Sequence, residues 1–194
     1  MSWQVRSLFT AALLAVAAVS TPAFSQDWYA GLGLGRASGD GTCDLLNGPG
    51  VKCDETSRSF KLLGGYQINQ NFGAEIGYTD LGKVKADSAA GNVEVKAKGL
   101  EFVGIGAYPF NPQWSVYGKL GLFRWDTDLK DGTGAIGSAK ANGIDLTYGF
   151  GVRWDFAKTF AVRVEYQQYR DVGDLSTTGQ SNIDVVGVTA LFRF

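Results

Sequence analysis

"IDLTYGFGVRWDF", residues Ile144–Phe156, sorts cleanly into two faces. Ile144, Leu146, Tyr148, Phe150, Val152, Trp154 and Phe156 share one parity. Asp145, Thr147, Gly149, Gly151, Arg153 and Asp155 share the other. Side chains of an extended chain alternate with period 2, so the stretch reads as a β-strand with one apolar face and one face of polar residues and glycine. The pattern recurs. Trp114, Val116, Gly118, Leu120 and Leu122 oppose Ser115, Tyr117, Lys119 and Gly121; Phe160, Val162, Val164 and Tyr166 oppose Arg163, Glu165 and Gln167. Trp28, Ala30, Leu32 and Leu34 oppose Tyr29, Gly31, Gly33 and Gly35. The final stretch, "NIDVVGVTALFRF" (Asn182–Phe194), places Val186, Val188, Ala190, Phe192 and Phe194 together and ends on an aromatic, although chain ends usually fray in water.

Eight segments alternate in this way: about 27–36, 57–68, 71–81, 94–110, 113–128, 141–156, 159–171 and 182–194. Three connections are tight, at 69–71, 111–113 and 157–159. Four are long and polar, at 37–56, 82–93, 129–140 and 172–181. After the first 25 residues no stretch shows the spacing of an amphipathic helix. Even strand number, short turns at one end and long loops at the other predict an all-β fold, an eight-stranded antiparallel up-and-down transmembrane β-barrel. Strands of this length suit a tilted bilayer crossing, which takes about 9–11 residues, better than a soluble sheet, where about 5–6 is usual.

The first 25 residues read as a cleaved secretory signal. Arg6 supplies the positive end, Leu8–Val19 the apolar run, and Ala23 and Ser25 the small residues before a cut at Gln26; residues 26–194 then form the single barrel domain. Without Arg6 the chain holds 17 basic and 19 acidic residues, a formal charge of −2, which gives no electrostatic case for nucleic acid. Cys43 and Cys53, nine residues apart in the first long loop of an exported chain, are expected to form a disulfide. By loop entropy it would contribute about 2–3 kcal/mol. The chain has no histidine, which removes Ser-His-Asp, Cys-His and histidine–metal chemistry. No other nucleophile constellation stands out, so the reading is of a non-enzyme with no cofactor and no metal site.

The charged parity decides which solvent lies outside. Lys61, Glu75, Glu101, Lys119, Asp145, Arg153, Asp155, Arg163 and Glu165 all fall on it, four positive and five negative. A soluble ligand-carrying barrel such as a lipocalin would need an apolar lumen. An outer-membrane barrel turns the apolar face to lipid and fills its interior with the polar one. Aromatics near the strand ends (Trp28, Phe72, Tyr78, Tyr108, Trp114, Trp154, Phe156, Phe160 and Tyr166) fit interfacial girdles. Charges in a narrow lumen must pair, because unpaired burial costs several kcal/mol, so an interior salt-bridge network is expected.

"WYAGLGLG" (28–35), "LGGYQIN" (63–69), "FGAEIGYTDLG" (72–82), "KAKGLEFVGIGAYPF" (96–110), "VYGKLGLFRWDTD" (116–128) and "RVEYQQYRDVG" (163–173), in this order, resemble the OmpA-like transmembrane domain family. The resemblance covers nearly the whole chain after the signal. It implies a barrel in the outer membrane of a Gram-negative bacterium, in contact with outer-membrane lipid and lipopolysaccharide. It also implies that the C-terminal aromatics, Phe192 and Phe194, are read by the barrel assembly machinery. The chain stops where the barrel closes, so the peptidoglycan-binding domain that many family members carry is not expected. Within the family a glutamate–arginine pair across the lumen is associated with a gate, and Glu75 and Arg163 stand at the matching positions, with Lys119 at another inward basic one. Two positions depart from the pattern: a family lysine is Ile105 here and a family glutamate is Arg153. Glu75 thereby loses its usual alternative partner, and any gate would have to use Lys119, Arg153 or Lys61.

Three further motifs read as ordinary barrel features. "GLGLG" (31–35) lacks the spacing and helix of a nucleotide loop and reads as inward small residues. "DTDLKDG" (126–132) has Lys130 at a calcium-ligand position and a misplaced glycine, so it reads as a strand end. The lysines of 83–98 read as a solvated loop at the level of lipopolysaccharide phosphate. The expected function is a structural outer-membrane barrel whose loops are available to an extracellular ligand. The alternative is a narrow gated channel built on the charges of Lys61, Glu75, Glu101, Lys119, Arg153, Arg163 and Glu165.

Overall fold

The computed structural model describes residues 28–39, 52–54, 56–88, 91–131, 139–174 and 179–194. The described strands are β1 (Trp28–Gly39), β2 (Lys52–Asp54), β3 (Thr56–Gln67), β4 (Phe72–Ser88), β5 (Gly91–Pro109), β6 (Trp114–Asp131), β7 (Ala139–Trp154), β8 (Phe160–Asp174) and β9 (Gly179–Arg193). From β3 on, each strand pairs antiparallel with the next, and β1 pairs with both β3 and β9, so the eight expected strands close into a barrel. Closure gives every barrel strand a partner strand on both sides, the condition for a sheet in lipid. β2 was not expected: it adds three residues to the outer part of β4, with Cys53 opposite Ala86.

The tight connections lie where expected. Asn69 caps the first: its side-chain oxygen accepts from the backbone N–H groups of Asn71 and Phe72 at 2.8 and 2.9 Å. Asn111 repeats the arrangement with Gln113 and Trp114, both at 2.8 Å. Asparagine mimics a backbone turn in this way, which is why "NQN" and "NPQ" mark the turns. The opposite end departs from expectation. The polar stretch 82–93 is not a loop but most of a hairpin: β4 runs to Ser88 and β5 starts at Gly91, with Lys85 opposite Glu94. "GNVEVKA" (91–97) alternates valine with polar residues, and a pairing register set in the membrane continues wherever backbone groups find partners. The other long connections are shortened in the same way. Two bulges mark the change, between Asp80 and Lys83 and between Tyr169 and Val172. The first holds Gly82 at φ 82°, its N–H bonded to Asp80 Oδ1 at 2.9 Å.

The faces follow the alternation. Leu32, Leu34, Phe102, Leu120, Phe150 and Val188 are all exposed on the outside, as a lipid-facing wall requires. At the short-turn end an aromatic belt runs from ring to ring: Trp114–Trp154, Trp154–Phe156, Phe156–Phe160, Phe160–Phe192 and Phe192–Phe194, with centroids 5.1–6.3 Å apart. Phe194 is therefore part of that belt, and its N–H bonds the Trp28 carbonyl at 3.2 Å.

The signal segment lies outside the described residues, as does Cys43; of Cys53 only the backbone is described.

Candidate functional site

The lumen is layered. At the short-turn end Tyr29, Leu63, Ala161 and Leu191 form a buried apolar cluster. At the long-loop end Ala37, Leu81, Ala97, Phe123, Trp125, Tyr169, Val172 and Val185 form a second. Between them stand six buried charges: Lys61, Lys119 and Arg163 against Glu75, Glu101 and Glu165. Three of each sign leave the layer formally neutral, as burial demands.

Inward glycines make room for the rings of this interior. Tyr29 lies opposite Gly65 in the β1–β3 register, and a methyl group on Gly65 would stand 2.2 Å from the Tyr29 ring. Trp125 lies opposite Gly143, where a methyl group would meet the indole at 2.5 Å. A bulky inward ring over a cross-strand glycine lets aromatics fit a narrow bore.

The charges form two groups. In the first, Arg163 Nη2 donates to Glu75 Oε1 at 2.5 Å and Tyr29 Oη donates to the same oxygen at 2.7 Å. The Arg163 guanidinium also lies 5.2 Å from the Tyr117 ring centre and 5.9 Å from that of Tyr29, within cation–π range. The contact is single rather than a two-pronged fork, and it leaves Glu75 Oε2 and Arg163 Nε without a protein hydrogen-bond partner.

Glu165 is the hub of the second group. Its carboxylate accepts from Lys119 Nζ at 2.9 Å, Tyr117 Oη at 2.8 Å and Lys61 Nζ at 3.2 Å. Lys61 also donates to Gln167 Oε1 and lies 3.1 Å from Glu101 Oε1, an ion pair whose angle is not that of a hydrogen bond. Glu101 Oε2 accepts from Gln167 Nε2 and Tyr169 Oη, both at 2.9 Å. A cavity of about 10 Å³ beside Lys61 and Glu165, lined also by Thr79 and Thr189, has room for about one water.

Six of the seven residues expected in one lumen network thus lie in the buried layer. Arg153 does not. It stands at the short-turn mouth, donating to Asp155 Oδ1 through Nε at 3.1 Å and Nη2 at 3.0 Å, and to Gln67 Oε1 at 3.3 Å. Arg193 donates to the same Asp155 oxygen. These groups line an open vestibule of about 320 Å³. Asp145 is also apart, toward the long loops, where it accepts from Trp125 Nε1 at 2.6 Å. Ile105 is inward and 9% exposed, opposite Lys119. The two lysines nominated as alternative partners for Glu75 are both engaged by Glu165. Sequence reasoning placed Tyr29, Tyr117 and Gln167 on the inward parity without giving them a role, and it did not single out Arg193.

Outside the membrane, toward the long loops, Asp80 Oδ2 lies 2.9 Å from Lys96 Nζ, and that carboxylate holds the Lys96 ammonium above its usual range.

The family model described as OmpA-like transmembrane domain matches residues 23–194. Outer membrane protein A of Shigella dysenteriae is 31% identical over 175 residues, covering 88% of this chain and 49% of that protein. Outer membrane protein A of Yersinia pseudotuberculosis is 31% identical over 195 residues, covering 95% of this chain and 55% of that one. The chain thus spans about half the length of the curated relatives it matches. Among solved structures, Neisserial surface protein A matches with a TM-score of 0.60 at 13% identity, covering 86% of this chain and 97% of that one. Ail, the attachment invasion locus protein of Yersinia pestis, matches at 0.52 and 16% identity, over 87% of this chain and 99% of that one. At such identities these two show the fold alone.

Proposed function

Because the chain belongs to the OmpA-like transmembrane domain family, and so is an integral β-barrel of the Gram-negative outer membrane, we propose that it serves there as a closed scaffold presenting its long connections at the cell surface. One observation carries this: the neutral six-charge layer lies between two buried apolar clusters. An ion entering from the vestibule would meet Tyr29, Leu63 and Leu191, then paired charges, then Phe123 and Tyr169. Paired charge with apolar layers above and below is the construction of a plug. The gated-channel alternative is not favoured, because Lys61 and Lys119 are held by Glu165 and the lysine that would compete for Glu75 is absent.

Three finer assignments belong to the same proposal. Phe192 and Phe194, at the end of the closing strand and within the aromatic belt, serve as the recognition signal for the barrel assembly machinery. Cys43 and Cys53 close the first long connection through a disulfide. The extracellular partners are lipopolysaccharide and a ligand held by the connections.

The test is single-channel recording of the refolded barrel in a planar bilayer, with Glu75→Ala beside it. A silent bilayer containing inserted wild-type protein is expected. Discrete wild-type openings that Glu75→Ala alters would overturn the plug and make the Glu75–Arg163 pair a gate.

A further inference from the structure

Arg36 and Arg58 face each other directly across the β1–β3 ladder. Both are exposed and lie on the outward parity. Below them on that wall are Leu34 opposite Phe60 and Leu32 opposite Leu62, all exposed and apolar. Two guanidinium groups therefore stand side by side where the lipid-facing surface ends, on the long-loop side. Like charges placed directly opposite on a sheet repel, with Cβ atoms only about 5 Å apart.

The wall has carboxylates close by and directs them elsewhere. Asp184, opposite Ser38 and so diagonal to Arg36, accepts from Tyr166 Oη and Gln168 Nε2, both at 2.8 Å. Asp80, opposite Phe60 and diagonal to Arg58, is taken by Lys96 at 2.9 Å and by the Gly82 N–H at 2.9 Å. Neither arginine is in an ion pair with a described residue. The geometry points to an external anion: we propose that Arg36 and Arg58 together bind the phosphate group of an outer-leaflet lipid. Guanidinium forks match phosphate oxygens, and two of them side by side can hold one phosphate from two directions. The apolar residues directly beneath give the lipid's acyl chains a surface, which a free phosphate would not use. This inference rests on the reading of the chain as an outer-membrane barrel.

The experiment uses the protein purified in maltoside micelles, which carry no phosphate. Bisphosphorylated lipid A, its dephosphorylated form and inorganic phosphate are titrated in separate arms. Lipid retention is read by native mass spectrometry and melting by circular dichroism. Bisphosphorylated lipid A is expected to be retained and to raise the melting temperature, while the other two do neither. The double variant Arg36→Gln/Arg58→Gln should bind the phosphorylated lipid at least tenfold more weakly. Without lipid it should melt no lower than the wild type, because the repulsion is gone. Equal retention by wild type and variant, or an equal response to inorganic phosphate or dephosphorylated lipid, would overturn the proposal. Failure of the protein to enter micelles as heat-modifiable β-structure would instead overturn the barrel reading, so the two failures are distinguishable.

Discussion

Glu165→Gln is the substitution that most directly tests the lumen. Glu165 accepts from Lys61, Lys119 and Tyr117, and it is 5% exposed. Each charged hydrogen bond contributes about 1.5–3 kcal/mol, but the three do not simply add. Lys61 would keep Glu101 at 3.1 Å and Gln167. Lys119 would not be so fortunate: its side chain is 0% exposed, and Glu165 is its one ion-pair partner among the described residues. Stranding a buried charge in this way costs about 3–5 kcal/mol, and that is the expected loss. Glu75→Gln should cost a similar amount, about 3–5 kcal/mol, because the Arg163 side chain is 3% exposed and Glu75 is its one ion-pair partner among the described residues. The decisive arm is Lys119→Met on the Glu165→Gln background. It returns the buried layer from three positive and two negative charges to two of each, and should recover at least half of the loss. Urea unfolding in lipid vesicles, followed by tryptophan fluorescence, measures all four proteins. If Glu165→Gln costs less than about 1.5 kcal/mol, or Lys119→Met brings no recovery, the hub assignment is wrong.

Other substitutions probe the remaining layers. Phe123→Ala removes a fully buried ring packed 4.5 Å from Tyr169, and should cost about 3–5 kcal/mol in the same unfolding assay. Gly65→Val places a side chain where the Tyr29 ring lies. It should displace the ring, break the Tyr29–Glu75 hydrogen bond and lower the melting temperature, whereas Gly64→Val on the outward face, where a methyl group meets nothing within 4 Å, should not. Phe194→Ala should leave the barrel refolded from urea with near-wild-type stability, yet reduce its accumulation in outer-membrane fractions measured by immunoblot.

Which parts were legible in the sequence follows from what alternation can carry. Parity needs only one strand, so "IDLTYGFGVRWDF" revealed its lipid face and its lumen face unaided, and Lys61, Glu75 and Arg163 could be turned inward residue by residue. Height and partnership need register between strands, which parity does not contain. Arg153 shares its face with Gly149 and Gly151, but it sits too near the strand end to join the buried layer. The hub at Glu165 arises from β3, β6 and β8 meeting across the bore, a coincidence of three registers. The pairing of Tyr29 with Gly65 was hidden for the same reason, since glycine-rich inward faces announce space without saying for whom. The 82–93 stretch reads as a loop because charged residues there also suit solvated turns, whereas the backbone ladder of β4 and β5 runs on through it.

The ladder between β1 and β9 has a temporal consequence. It joins Tyr29 to Arg193 and Ala30 to Phe192, farther apart in sequence than the pairs of any other ladder among the described residues. Every other barrel ladder links neighbours in sequence and can form as a local hairpin; this one must wait for the whole chain, and pairings so distant form slowly. Until it forms, both seam strands offer an open row of amide and carbonyl groups to any passing strand. The barrel therefore has its most vulnerable moment just before completion. A helper that shielded only the seam would protect the entire molecule.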